Sequence, residues 1–410
     1  MARNAEKTLP ALMASIRPYV KQIVIGVDET STDRTAKVAR KLGADDVFSL
    51  HVSDWHECVS HGRVLAQHFA NARQETFKHL DPDLDFWGWI DADDVLVGPE
   101  KLKAALEGLP DEMIGIWSPY HYAAITRADG TQRVNTLFHR ERFLRTHFQG
   151  KPISWTWEGR VHETVKPDVQ ASWALNDEIV FVHQPGIHVT NDSAPRNLLL
   201  LEMDYEEDPT SQRTAFYLGH SHFALGNWEQ AVAWYERLCA MERANPYELW
   251  QSYLYMSIAY ENLGDMTSAN QAAYAALDTI PIHGEPYFRV AAIAVKCGEF
   301  EKALHWNNLG RKMKEAPFFA FKNPLDYSFN QRVTQGEALM NLGRVSEAKA
   351  EWHAAAQVFV DQRLAEAISD ADQTEANIGT AESFVTIAKN LDGLAALGLY
   401  QHLPPEVKAF

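Results

Sequence analysis

The sequence predicts an α/β domain built on a mostly parallel sheet, followed by an all-α domain of repeated helical pairs. Three observations carry this. Short β-rich runs alternate with helical patterns over residues 1–195, as they do when helices cross over between strands. The β signal then fades, and residues 196–410 read as helices. Within that second half, four similar glycine-centred segments recur.

The elements of the first domain, 1–195, follow in order. Residues 22–27 form an apolar strand ending at Asp28, and a polar loop over 29–33 leads into a helix over 34–42, stopped by Gly43. Residues 46–50 are a second strand, and one long helix is expected from about Arg63 to His79. Residues 85–90 are a third strand and run straight into Asp91-Ala92-Asp93-Asp94. Pro99 suits the first turn of a helix over 100–107, because its missing N–H has no partner there anyway. Residues 114–118 and 134–138 are further strands.

In the second domain, 196–410, the recurring glycines are Gly226, Gly264, Gly298 and Gly343, at intervals of 38, 34 and 45 residues. Each is followed by an alanine early in the next helix: Ala231, Ala269, Ala303 and Ala348. Glycine ends a helix without a Cβ penalty, and alanine lets paired helices approach closely. The spacing resembles the tetratricopeptide repeat, and Leu218, Gly219, Tyr235, Tyr260 and Pro281 also fall where that repeat places them. The long interval is expected to hold a loop over 316–324. A generic helical bundle is the alternative.

Composition narrows the function. The chain has 410 residues, 46% hydrophobic and 23% charged, ample for two or three cores. Its 55 Asp and Glu outnumber 38 Lys and Arg, giving a formal charge of −17. That balance argues against holding nucleic acid by bulk electrostatics. No apolar run is long enough to span a bilayer, and residues 1–12 lack the apolar stretch of a signal peptide. Cys58, Cys239 and Cys297 are few and widely spaced, which fits a reducing cytoplasm better than a disulfide scaffold.

Several residues could do chemistry. Asp91 and Asp93 project from the C-terminal end of a strand, where open α/β sheets bind ligands. Their oxygens suit Mg²⁺ or Mn²⁺, or they simply cap a strand-to-helix turn. Asp28 ends a parallel strand and is placed to bond a base or ribose, or it and its loop simply cap the helix over 34–42, with Ser31, Thr32 or Asp33 at the cap. Trp155, Trp157, Arg160, His162 and Glu163 crowd into nine residues. They make either a sugar-stacking platform with a general base or a hairpin with buried rings. His183 and His188 flank a Gln-Pro-Gly turn, form no zinc motif by spacing and read as structural.

Taken together, residues 3–10, the strand into Asp28 with residues 31–35, and residues 86–94 resemble family 2 glycosyltransferases of the GT-A, Rossmann-like fold. Gly159-Arg160-Val161-His162-Glu163, then His188, then Arg196-Asn197 run into the repeats. This order is similar to bacterial glycosyltransferases, including peptide S-glycosyltransferases, fused to tetratricopeptide repeats. The resemblance implies a cytoplasmic, metal-dependent inverting hexosyltransferase using a nucleotide-sugar, by default a UDP-sugar. It implies that Arg3, Asn4, Glu6, Asp28, Arg63 and Asp91 bind the nucleotide, and that Asp91, Asp93 and His188 hold Mn²⁺ or Mg²⁺. Glu163, or alternatively Asp94, would be the general base, with Trp155, Trp157 and His162 on the sugar or acceptor. The repeats would recruit an acceptor peptide, protein or glycan, or pair two copies of the chain. The rivals are a non-catalytic scaffold with a degenerate N-terminal domain, and the same chemistry on a lipid-linked glycan or a modified DNA base.

Overall fold

The computed structural model describes residues 1–126, 132–184, 193–317, 320 and 325–361, with side chains left aside at 122–126, 132–136, 193–194 and 359–361. The first compact unit is Met1–Thr126 with Val134–Gly226, and the described helices from Asn227 onward belong to a second.

The first unit opens with helix α1 (Leu9–Ile16), whose Leu9, Leu12, Met13 and Ile16 are buried. Strand β1 (Val24–Asp28) pairs in parallel with β2 (Asp46–Leu50), joined by α2 (Thr35–Lys41). The expected helix from Arg63 to His79 is instead a hairpin and a shorter helix. Strands β3 (Ser53–Cys58) and β4 (Gly62–Gln67) pair antiparallel, with Trp55 opposite Leu65. Gly62 turns the hairpin at φ +68°, a conformation open to glycine and closed to a continuing helix. Helix α3 (Phe69–Phe77) starts only after His68, whose ring accepts a bond from Asn71 N.

Strands β5 (Phe86–Gly88), β6 (Asp94–Val97), β7 (Met113–Thr126) and β8 (Gln132–Arg145) follow, with α4 (Leu102–Glu107) between β6 and β7. Two short pairs come next. They are β9 (His147–Phe148) with β10 (Lys151–Pro152), and β11 (Trp155–Glu158) with β12 (Thr164–Pro167). Strands β13 (Ser172–Leu175) and β14 (Val180–His183) return to the main sheet. Its order is β5-β8-β7-β14-β6, with β13 also on β7. The sheet is mixed rather than mostly parallel: β14 and β13 run parallel to β7, but β5–β8 and β14–β6 are antiparallel. For one pair of neighbours, β7 and β8, the cause is chain length. Only five residues separate β7 from its neighbour β8, too few for the crossover that parallel strands need. The core lies on both sides of these strands. Leu9, Ile25, Leu96, Ile116 and Phe181 form one cluster, and Trp87, Ile114, Leu144, Trp155 and Trp157 another. Helices α5 (Ser193–Glu207) and α6 (Gln212–Ala224) complete the unit, so the contacts carry it past the expected limit at residue 195.

The second unit is a stack of helical hairpins. Helix α7 (Trp228–Cys239) packs on α8 (Pro246–Asn262), α8 on α9 (Met266–Thr279), and α10 (Glu285–Lys296) on α11 (Phe300–Gly310). A single π-helical turn, Asp326–Asn330, leads into α12 (Gln331–Asn341), which packs on α13 (Val345–Asp361). Gly264, Gly298 and Gly343 sit at φ +80°, +75° and +75° between the helices of each hairpin. Ala269, Ala303 and Ala348 are at most 1% exposed. These hairpins are the tetratricopeptide-like part of the chain.

Candidate functional site

The turn Asp91–Asp94 leaves β5 and enters β6, closed by a bond from Asp94 N to Asp91 O. Strand β14 pairs with β6 so that His183 lies opposite Asp94. The register explains the site. Asp94 Oδ1 accepts from Tyr120 Oη at 3.0 Å and from His183 Nδ1 at 3.1 Å. His183 Nδ1 is also 3.8 Å from an Asp93 oxygen. The ligand atoms of Asp93, Asp94 and His183 lie within 4.8 Å of one another. Burial raises the Asp93 carboxyl above its usual range, and the Asp91 and Asp94 charges add to this against the pull of His183. Burial opposes protonation of His183, yet the bond to Asp94 and the Asp93 charge raise its pKa.

The first aspartate of the motif faces the other way. Asp91 Oδ1 accepts from Arg73 Nη2 at 2.7 Å, and Arg73 Nε donates to Glu163. Although burial works against it, Arg73 and Arg142 hold the Asp91 carboxyl far below its usual range. Burial likewise opposes ionisation of Glu163, and Arg73 overcomes it, so Glu163 is a carboxylate at neutral pH. Arg140 and Arg142 lie two residues apart on β8, hence on one face. The guanidinium groups of Arg73, Arg140 and Arg142 sit 4.3, 4.9 and 3.7 Å from the Trp89 ring. Arg140 Nη2 also donates to the Glu163 carbonyl at 2.9 Å.

The turn bearing Glu163 is clamped from two helices. Arg160 pairs with Asp204 at 2.6 Å and with Glu207 of α5. Arg213 of α6 donates to the His162 carbonyl at 2.7 Å, and the His162 ring stacks on Tyr217 at 4.2 Å. His162 has φ +52°. Burial and then Arg213 push its pKa down to about 3.

The other expected site residues fall differently. Asn4 and Glu6 hold the 28–35 loop: Asn4 Oδ1 accepts from Thr32 N at 2.8 Å, and Glu6 Oε2 from Arg34 N at 3.0 Å. Asp28 is buried and accepts from Thr30 N and Oγ1, while Arg3 is exposed. Arg63 sits on the β3–β4 hairpin, 5.1 Å over Trp55 and 3.9 Å from Glu57, not at the acidic turn. Arg73 and Arg142 are the arginines at that turn. Trp155 and Trp157 are 3% and 6% exposed and pack among other rings, so neither offers a free face to a sugar. The expected metal trio is also regrouped: Asp91 is taken by arginines, and Asp94 and His183 join Asp93. His188 lies outside the described residues. His183 carries a legible signal after all, since it ends an apolar strand just as Asp91 follows one.

No family model and no curated protein matches the chain. Among solved structures it is similar to the crystal structure of MamA, at 14% identity over 42% of this chain and 95% of that one, with a TM-score of 0.35. It is similar to the APC/C hetero-tetramer Cut9–Hcn1 at 13% identity, 52% and 40% coverage and a TM-score of 0.33. A third is a thermophilic TPR protein of Thermus thermophilus, at 18% identity, 42% and 87% coverage and a TM-score of 0.30. Among the described residues no helix is long and apolar enough to cross a membrane.

Proposed function

We propose that the N-terminal unit is a metal-dependent inverting glycosyltransferase of the GT-A, family 2 kind. It takes a sugar from a nucleotide-sugar, by default a UDP-sugar, and passes it to an acceptor recruited by the helical repeats. The observation that carries this reading is the meeting of Asp93, Asp94 and His183 within 4.8 Å. Two carboxylates and an imidazole form a donor set that suits Mn²⁺ and accommodates Mg²⁺. Asp94 Oδ2 is fully buried and has no hydrogen-bond partner among the described residues, so it has lone pairs to give. When bound, the ion supplies charge stabilisation to a leaving diphosphate.

The chain's own residues supply the rest. On this reading Asp28, and Asp91 from within its ion pair with Arg73, are the carboxylates that contact the ribose or base. Glu163, kept ionised by Arg73, receives the acceptor proton as the acceptor oxygen bonds to the anomeric carbon and the bond to the diphosphate breaks. Thermal unfolding against a panel of nucleotides and nucleotide-sugars, with and without Mn²⁺, tests the reading. A ligand at about 100 times its Kd adds about 2.7 kcal/mol. A Mn²⁺-dependent rise that Asp93→Asn and His183→Ala both remove is expected. Absence of any rise overturns the reading.

One observation favours a second reading, a scaffold without activity. Arg73 bonds both Asp91 and Glu163, so two of the acidic groups are already neutralised from within. The same panel separates the two, since a scaffold gives no nucleotide response.

A further inference from the structure

Arg142 is the most deeply enclosed charge beside the acidic turn. Its side chain is 0% exposed. The guanidinium is pressed between Trp89 at 3.7 Å and Tyr120 and Phe181, both at 4.6 Å. Nη1 donates to the Trp89 carbonyl at 3.3 Å and lies 3.9 Å from Asp91. Nη2 lies 3.6 Å from Asp94 Oδ2, an ion pair too long to be a hydrogen bond. Among the described residues nothing hydrogen-bonds Arg142 Nε or Nη2, nor the Asp94 Oδ2 opposite. A buried charge pair left this loose is costly, and a purely structural arginine is better served by a fitted partner.

We propose that Arg142 is a built-in counter-cation that weakens the hold of Asp93, Asp94 and His183 on a divalent ion. The inference rests on reading that trio as a metal site. Asp94 Oδ2 is the oxygen with lone pairs to spare, and the guanidinium already stands against it. A metal that takes this oxygen shares it with a positive charge in surroundings of low polarity, where like charges repel strongly. The ion alone therefore binds weakly. An ion that arrives with an anionic diphosphate brings the charge that offsets Arg142, so metal and donor enter together.

The test is Mn²⁺ binding by calorimetry to the full chain, with no nucleotide present. Arg142→Met keeps the stem and removes the charge, and should bind Mn²⁺ at least about tenfold more tightly than wild type. Arg142→Lys keeps the charge and should stay within about threefold of wild type. Asp94→Asn should lose binding in either background. If wild type binds and a folded Arg142→Met binds no more tightly, this inference falls and the metal site stands. If neither binds, both fall. Should Arg142→Met not fold, wild type answers by itself. The ¹⁵N resonance of Arg142 Nε should shift on Mg²⁺ titration, and a resonance that stays in place overturns the proposal.

Discussion

Asp91 and Glu163 share the single guanidinium of Arg73, and that sharing decides what each can do. Glu163 is ionised and anchored, so if the unit is the transferase proposed above, Glu163→Gln should abolish sugar transfer while leaving the Mn²⁺ and nucleotide response in thermal unfolding intact. An equal loss of both would remove the role given to Glu163. A second residue-scale expectation concerns pH. His162 is pushed down to about 3, and burial pushes His220 down to about 4, from 6.5. Both are neutral when folded and take up protons on unfolding. Their contribution is complete above pH 6.5 and is lost as pH falls from there, toward about 4 for His220 and about 3 for His162. The unfolding midpoint should drop over that window, less steeply in His220→Gln. The acidic motif was visible in the sequence because an apolar strand precedes it. Arg142 stands out in the sequence only as one of several scattered basic residues, and the tie of Arg73 and Arg142 to the motif was not visible, because each reaches it from a different element and no local pattern records a contact made 18 or 51 positions away.

At the scale of elements, the clearest case of close packing is Gly336 on α12. A Cβ there would meet the Trp352 indole at 2.3 Å, and Trp352 is only 1% exposed. Gly336→Ala should cost about 1–3 kcal/mol by overpacking, measured by chemical denaturation, unless the indole can turn aside. The hairpin glycines were legible because their φ requirement is local and leaves a repeating mark. Strands 46–50 and 24–28 were legible for a similar reason, as runs of apolar and β-branched residues. The β3–β4 hairpin was not. Its apolar pair, Trp55 and Leu65, stays exposed at 62% and 52%, so the burial pattern that marks a strand never forms. The mixed sheet was hidden too, because periodicity gives strands but not their direction.

For the molecule as a whole, two units with separate cores imply two separable melting events. Calorimetry should resolve two transitions. Gly336→Ala should lower one of them, while Asp93→Asn leaves that one in place and removes the Mn²⁺ response of the other. Coincident shifts would mean the units melt as one. The formal charge of −17 carries its own expectation, that the intact chain is not retained on immobilised duplex DNA at physiological salt. Gly264 and Gly298 share nearly the same backbone angle, and 34 residues separate them. The stretch 265–298 is thus bounded at both ends by a glycine in the left-handed region, which makes it a natural cassette. Spliced in twice, the cassette should lengthen the solenoid by one hairpin, a change that the maximum dimension in solution scattering would read directly.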